Sequence, residues 1–162
     1  MSAAAGMLAA RDPEPRAATY LHPGDLAVAV QPTAITTILG SCVGVCLFDA
    51  RAGVGGMNHY LLPDSLGSRP SPRFGDVAMP QLLMGVLRAG ARRERLRARV
   101  YGGACVLDAF LGGDHLGERN VQCALQFLAA EGIPVLARDT GGRRGRRLVF
   151  HTDDGATLLR EI

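Results

Sequence analysis

Two side chains of complementary chemistry flank one apolar segment, "ILGSCVGVCLFDARAGVGGMNHYLLP", running from Ile38 to Pro63. Cys42 follows the small-residue corner Gly40-Ser41, and His59 follows the glycine pair Gly55-Gly56. The run between them alternates like a hairpin. With its turn centred between Ala50 and Arg51, Phe48 faces Gly53, Cys46 faces Gly55 and Cys42 faces His59. Directly opposed residues of a hairpin share a face with Cβ atoms about 4.5–5.5 Å apart, within reach of a thiol–imidazole contact. The chemistry is coherent: a thiol is mostly protonated at neutral pH, and an imidazole beside it can take its proton and return it to a leaving amine. The Gly-Ser corner would let backbone amides approach a developing oxyanion. A plainer reading accounts for the same residues, since cysteine is a common small core residue and a strand histidine is often a satisfied core group. A one-residue change of facing would also separate the two side chains. The pattern by itself leaves both readings open.

Other candidates carry less. Cys46, Cys105 and Cys123 form no CxxC pair with each other or with Cys42, which argues against structural zinc. Cys46 reads as packing. His115 falls in a Gly-rich loop, and His151 alternates with apolar residues near the C-terminus. No GxGxxG, Walker loop, HExxH or paired metal carboxylates occur, so neither cofactor nor metal is expected.

The elements that must position the pair follow from the pattern along the chain. The 162 residues are one domain's worth, 48% hydrophobic but only 5% aromatic, so Val, Leu, Ala and Met must fill the core. Residues 1–17, rich in Ala, Pro and charge, read as a disordered tail, leaving a single domain over 18–162. Strands are expected over 26–30, 34–39, 42–48, 54–62 and 98–101, with another in "IPVLARDT" and a terminal hairpin turning at Asp154-Gly155. "LGSRPSPRFG" is a surface loop. One helix should run from Asp76 to Ala89, its start drawn toward Met79 by Pro80, and a second from about Glu118 to Ala130. Such a chain is α/β or α+β with substantially antiparallel, hairpin-rich sheet and two main helices.

No apolar run approaches the ~20 residues that span a bilayer, and the N-terminus lacks the basic and continuous apolar regions of a secretory signal. A cytoplasmic location with reduced cysteines is expected. All 18 basic residues are arginine and the net charge is +3. Without an arginine face interleaved with stacking aromatics, nucleic-acid binding is not indicated. Arg143, Arg144, Arg146 and Arg147 in "TGGRRGRRL" read either as a solvated face or as a steering patch for an acidic partner.

Taken in order, "LGSCVGVCLFD", "GGMNHYLLP", "FGDVAM", "GARRERLRARVYGGA", "LGERN" and "GIPV…DTGGRRGRRLVF" resemble the chemoreceptor glutamine deamidase family, CheD, from about Asp25 to the C-terminus. The resemblance implies a layered α/β/β sandwich, an active site akin to deamidating bacterial toxins, and a Cys-His-Thr triad. By motif the cysteine falls on Cys42 and the histidine on His59. The threonine, six residues before the cysteine, falls on Thr36, with the adjacent Thr37 hydroxyl as a substitute. The threonine would accept a hydrogen bond from the imidazole and fix its tautomer, the part aspartate plays in other triads. The implied reaction converts glutamines on a chemoreceptor's cytoplasmic helical bundle to glutamate through a thioester, with glutamyl methyl esters as further substrates in some members. A CheC-type response-regulator phosphatase is the implied second partner. The competing reading is a receptor- or phosphatase-binding adaptor with little catalysis. Iodoacetamide separates the two: an activated Cys42 alkylates well before Cys46, Cys105 and Cys123, whereas an adaptor shows no such preference.

Overall fold

A computed structural model of the chain describes residues 15–105 and 115–162. Within them the strands are β1 (Ala17–Tyr20), β2 (Leu26–Ala29), β3 (Thr33–Leu39), β4 (Val43–Asp49), β5 (Val54–Asn58), β6 (Arg97–Gly102), β7 (Val135–Thr140), β8 (Arg146–His151) and β9 (Thr157–Glu161). Helix α1 spans Gly75–Arg88 and α2 spans Leu116–Ala130. The strands form two sheets, β1-β3-β8-β9 and β2-β5-β4-β6-β7. Pairing is antiparallel except for β1 with β3 and β6 with β7. The α+β class and its largely antiparallel sheets match the expectation.

The layering follows from which face of each strand is apolar. One core lies between the helices and the five-stranded sheet, with Val43, Val45 and Leu47 of β4 meeting Met79, Leu82 and Val86 of α1 and Val121 and Ala124 of α2. A second core lies between the sheets, where Cys46, Phe48, Met57 and Tyr101 face Ile35, Leu39, Leu148 and Phe150. Strand β4 is thus buried on both faces along its whole length, which is why it reads as a nearly continuous apolar run. Strand β3 is covered on one face only. Thr33, Ile35, Thr37 and Leu39 point inward, while Ala34, Thr36 and Ile38 point out.

Three expectations need correction. Order begins by Ala17, inside the segment read as tail, because β1 adds to β3 in parallel register from Ala17↔Thr33 to Tyr20↔Thr36. All four of its residues are exposed, so no apolar alternation betrays it. Arg16 anchors this strand through ion pairs with Asp153 (2.8 Å) and Asp154 (3.2 Å) of the β8–β9 turn. Residues 1–14 of the expected tail, and 111–114 of the expected "LGGDHLGERN" loop, lie outside the described residues. Helix α1 starts at Gly75 despite Pro80, whose missing N–H forfeits a single bond near the helix start. Asp76 does not cap it; its carboxylate accepts from the Ser65 amide and hydroxyl instead.

The third correction concerns the hairpin register. Asp49 pairs with Val54 and Cys46 with Met57, two residues offset from the expected pairing. The turn takes four residues, Ala50 to Gly53, with Gly53 at a φ of +69° that other residues resist. Asp49 sets this turn. Its wholly buried carboxylate accepts from the Ala52 and Arg92 amides and pairs with Arg95 at 3.0 Å. Burial pushes its pKa up, but the Arg95 hydrogen bond and the two amides prevail and hold it down at about 2.

The two sheets approach by backbone where β5 passes the end of β8. A Cβ on Gly55 would collide with the Thr152 carbonyl oxygen and lie 2.8 Å from its Cα. Arg146, buried at 5% exposure, ties the sheets at another edge by pairing with Asp139 (2.9 Å) and donating to the Gly141 carbonyl (2.8 Å). Gly55→Ala therefore overpacks the inter-sheet contact. Urea unfolding should show a loss of about 3 kcal/mol, at the upper end of ordinary overpacking costs.

Candidate active site

Residues 43 to 45 and 58 to 60 mark the point where the β4–β5 ladder is interrupted. The Val45 amide donates to the Asn58 side-chain oxygen (3.0 Å) rather than to backbone, and the Asn58 amide donates in turn to the Ala78 carbonyl of α1 (3.3 Å). Pairing resumes at Val43↔Tyr60. Carried through this break, the register sets Gly44 opposite His59 and leaves Cys42 on the same face, one diagonal step away. Diagonal neighbours lie about 7–8 Å apart, still within reach of long or aromatic side chains. The offset of two from the expected register preserved the facing, so both residues look toward the other sheet.

His59 is held on every side but one. Its backbone amide donates to the Asp25 carbonyl (3.2 Å), and its carbonyl accepts from the Gly24 amide (2.7 Å). Its side chain crosses the inter-sheet space to Thr37, with Nδ1 2.7 Å from Oγ1. The Thr37 hydroxyl is also 2.7 Å from the Leu21 carbonyl oxygen, which can only accept. The one hydroxyl proton therefore goes to Leu21, and the threonine oxygen receives Nδ1–H. That assignment leaves the Nε2 lone pair free. Nε2 is buried and, among the described residues, has no hydrogen-bond partner.

The hydroxyl on the imidazole is thus Thr37's and not that of Thr36. Strand alternation is the reason: Thr36 sits half-buried on the outward face of β3, paired with Val149, where it cannot meet His59. Motif spacing alone does not carry facing, but the alternation Thr33-Ile35-Thr37-Leu39 could have done so.

Cys42 lies half-buried just past the corner and just before β4. Three consecutive carbonyls of this corner are each held. Gly40 accepts from the Ala104 amide (2.9 Å), Ser41 from Asn120 Nδ2 (3.0 Å) and Cys42 from the Gly103 amide (2.9 Å). Asn120 of α2 was not singled out by sequence pattern. It is fully buried, and its Nδ2 also donates to the Leu61 carbonyl (2.8 Å) just beyond His59.

Burial pushes the Cys42 thiol pKa up, offset in part by its own backbone amide. Burial also lowers His59 to about 4, against a smaller opposing pull from Asp25. Both shifts keep the proton on sulfur at rest. Among the described residues no hydrogen bond joins the neutral thiol to the neutral imidazole at rest, although both side chains face the inter-sheet space.

The remaining candidates stand apart. Cys46 is wholly buried against Met57 (3.7 Å), its pKa pushed far up by desolvation. Cys123 donates to the Pro63 carbonyl (3.4 Å), with burial and the nearby Asp76 raising it to about 11. His115 is the N-cap of α2, accepting from the Glu118 amide, and His151 pairs with Ala34 in the outer sheet. Among the described residues no three His, Cys, Asp or Glu side chains group as metal ligands.

The depressed His59 value has a consequence for stability. Its folded pKa lies below the unfolded one, so its contribution is whole above pH 6.5 and is lost as pH falls toward about 4. The loss amounts to about 3 kcal/mol at 1.36 kcal/mol per pKa unit. Denaturant midpoints measured between pH 7 and 4 should fall for the wild type and stay flatter for His59→Gln.

Comparison with known proteins shows what the chain as a whole is similar to; the family-model match lies beyond Thr37, Cys42 and His59. Residues 61–161 match the family model described as CheD chemotactic sensory transduction. The chain is 58% identical to a probable chemoreceptor glutamine deamidase CheD 1 of Anaeromyxobacter dehalogenans, over 91% of this chain and 86% of that protein. It is 44% identical to the probable CheD of Rhodospirillum rubrum over 88% and 81%, and 44% identical to that of Trichlorobacter lovleyi over 92% and 93%. A solved Neisseria meningitidis structure of the DUF152 family superposes with a TM-score of 0.46 at 15% identity, over 90% of this chain and 75% of that one, too loosely to bear on function. With a family model over residues 61–161 and relatives 44–58% identical across most of both chains, this chain belongs to the CheD family.

Proposed function

We propose that the chain is a protein-glutamine deamidase acting on chemoreceptors, with Cys42 as nucleophile, His59 as acid–base and Thr37 as the group that orients the imidazole. The observation that carries this reading is the hydroxyl of Thr37, whose single proton is committed to Leu21 and which therefore leaves Nε2 of His59 free to accept. A merely structural histidine has little reason to keep a buried nitrogen unpaired, at a cost of about 1–3 kcal/mol.

The reaction follows from these atoms. As Sγ of Cys42 attacks the side-chain carbonyl carbon of a receptor glutamine, its proton passes to Nε2. The carbonyl oxygen becomes an oxyanion. On collapse the C–N bond breaks, Nε2–H gives its proton to the nitrogen, and ammonia leaves a thioester. Nε2 then takes a proton from water, whose oxygen attacks the thioester carbon. The C–S bond breaks, the thiolate recovers its proton, and glutamate remains. Glutamyl methyl esters would pass through the same thioester, losing methanol in place of ammonia.

Family likeness, rather than any contact in this molecule, supports a CheC-type phosphatase as a further partner and the cytoplasm as the site of action. Among the described residues no helix is long and apolar enough to cross a membrane. The exposed Arg143, Arg144 and Arg147 are suited to steering toward an acidic helical bundle; Arg146 is spent on Asp139 and takes no part.

The test is peptide mass spectrometry of a co-expressed chemoreceptor from the same genome, following Gln-to-Glu conversion. Cys42→Ala and His59→Ala should each abolish conversion, and their losses should not multiply, because the two act as one unit. Thr37→Val should cost about 10- to 100-fold while Thr37→Ser retains most activity and Thr36→Val is near wild type. Conversion that survives Cys42→Ala would rule out the thiol route, whereas a wild type that converts no receptor glutamine would favour an adaptor. Replacing Arg143, Arg144 and Arg147 by Gln should raise KM at low ionic strength, spare kcat, and lose its effect as salt is added.

A further inference from the structure

The carbonyl of Ser41 is one end of the peptide unit whose other end is the amide of the nucleophile. In a trans peptide the C=O and N–H vectors point in opposite directions, and the described chain has no cis bonds. Asn120 Nδ2 holds the Ser41 oxygen at 3.0 Å from the helix side. The Cys42 N–H therefore points away from α2, and it lies close enough to its own sulfur to lower the thiol's pKa. An amide in that position is where the oxygen of a carbonyl under attack by Sγ would come to rest.

We propose that Asn120 is a positioning residue that aims the Cys42 amide as an oxyanion donor, an inference that rests on the deamidase reading. The flip of its side chain is unambiguous, since both groups facing Nδ2, Ser41 O and Leu61 O, can only accept. One side chain thereby joins the corner carrying the nucleophile to the segment following the base. The Tyr60 hydroxyl separately donates to the Asn120 backbone carbonyl, a tie between α2 and the hairpin that does not involve the Asn120 side chain. Both residues are 0% exposed. The remaining oxygen, Oδ1, is buried and has no partner among the described residues. A residue chosen for stability alone would not strand an acceptor there, so the two donated bonds are what the position requires. Asn120 touches no substrate; it acts through the peptide it pins.

Kinetics separate this role from general support of the fold. Oxyanion stabilisation serves attack on a carboxamide, whereas displacement of iodide from iodoacetamide by the same sulfur forms no oxyanion. Asn120→Ala and the smaller change Asn120→Ser should lower kcat for receptor glutamine at least 10-fold, with KM and the rate of Cys42 alkylation within about twofold of wild type. Tyr60→Phe, which loosens α2 from the same hairpin without freeing the Ser41 carbonyl, should keep kcat within about threefold. Wild-type kcat in the Asn120 variants would overturn the proposal, as would a parallel fall in alkylation, an equal loss in Tyr60→Phe, or failure of both Asn120 variants to fold. A wild type that converts no receptor glutamine overturns the deamidase reading and this inference together, whereas any of the former outcomes with an active wild type leaves that reading standing.

Discussion

A hydroxyl has one proton to give, and in this protein the Thr37 proton goes to the Leu21 carbonyl. Everything the imidazole of His59 can do follows from that. Had the proton pointed the other way, two lone pairs would face each other across 2.7 Å and Nε2 would carry the hydrogen. Because it does not, Nε2, the imidazole nitrogen turned away from Thr37, is left as a base. The tautomer is fixed by geometry alone, without a carboxylate on the imidazole. Among the described residues the imidazole has no direct anionic partner, in agreement with the depressed basicity of His59: burial dominates, and the more distant Asp25 opposes it.

This arrangement requires two sheets. Cys42 and His59 belong to one hairpin of the five-stranded sheet, while Thr37 belongs to the other sheet and arrives across the core. The close backbone passage at Gly55 and the Arg146–Asp139 tie keep the layers at the spacing a short hydrogen bond demands. On the opposite side of β4 the helices complete the frame, and α2 reaches through to the corner with Asn120. The site is therefore assembled from all three layers, with β4 buried between them.

Much of this was legible in the chain. The Gly-Ser corner, the glycine-rich return strand and the spacing of Cys42 from His59 describe a hairpin that brings a thiol and an imidazole to one face. The terminal hairpin at Asp154-Gly155 and both helices were readable from turn chemistry and apolar period. The facing of the threonines was harder. Motif spacing favours Thr36, but burial alternation along β3 places Thr37 inward, and only a count of inward positions distinguishes them. Strand β1 could not be read, because a fully exposed edge strand of four residues carries no hydrophobic period. Asn120 could not be read either. Its neighbours Ser41 and Leu61 are distant in sequence, and a helical asparagine ordinarily signals solvent.

The four-residue turn at Ala50 to Gly53 lies far from the chemistry and on the surface, where related chains usually vary in length. What the chemistry constrains here is register and not length. A slip of one residue between β4 and β5 would turn His59 toward the helices and break its link to Thr37, whereas an extra turn residue that left Asp49 opposite Val54 would leave the imidazole where it is. The buried carboxylate of Asp49, by gripping the Ala52 amide and Arg95, thus acts as the index pin that keeps a distant surface turn from misaligning the base.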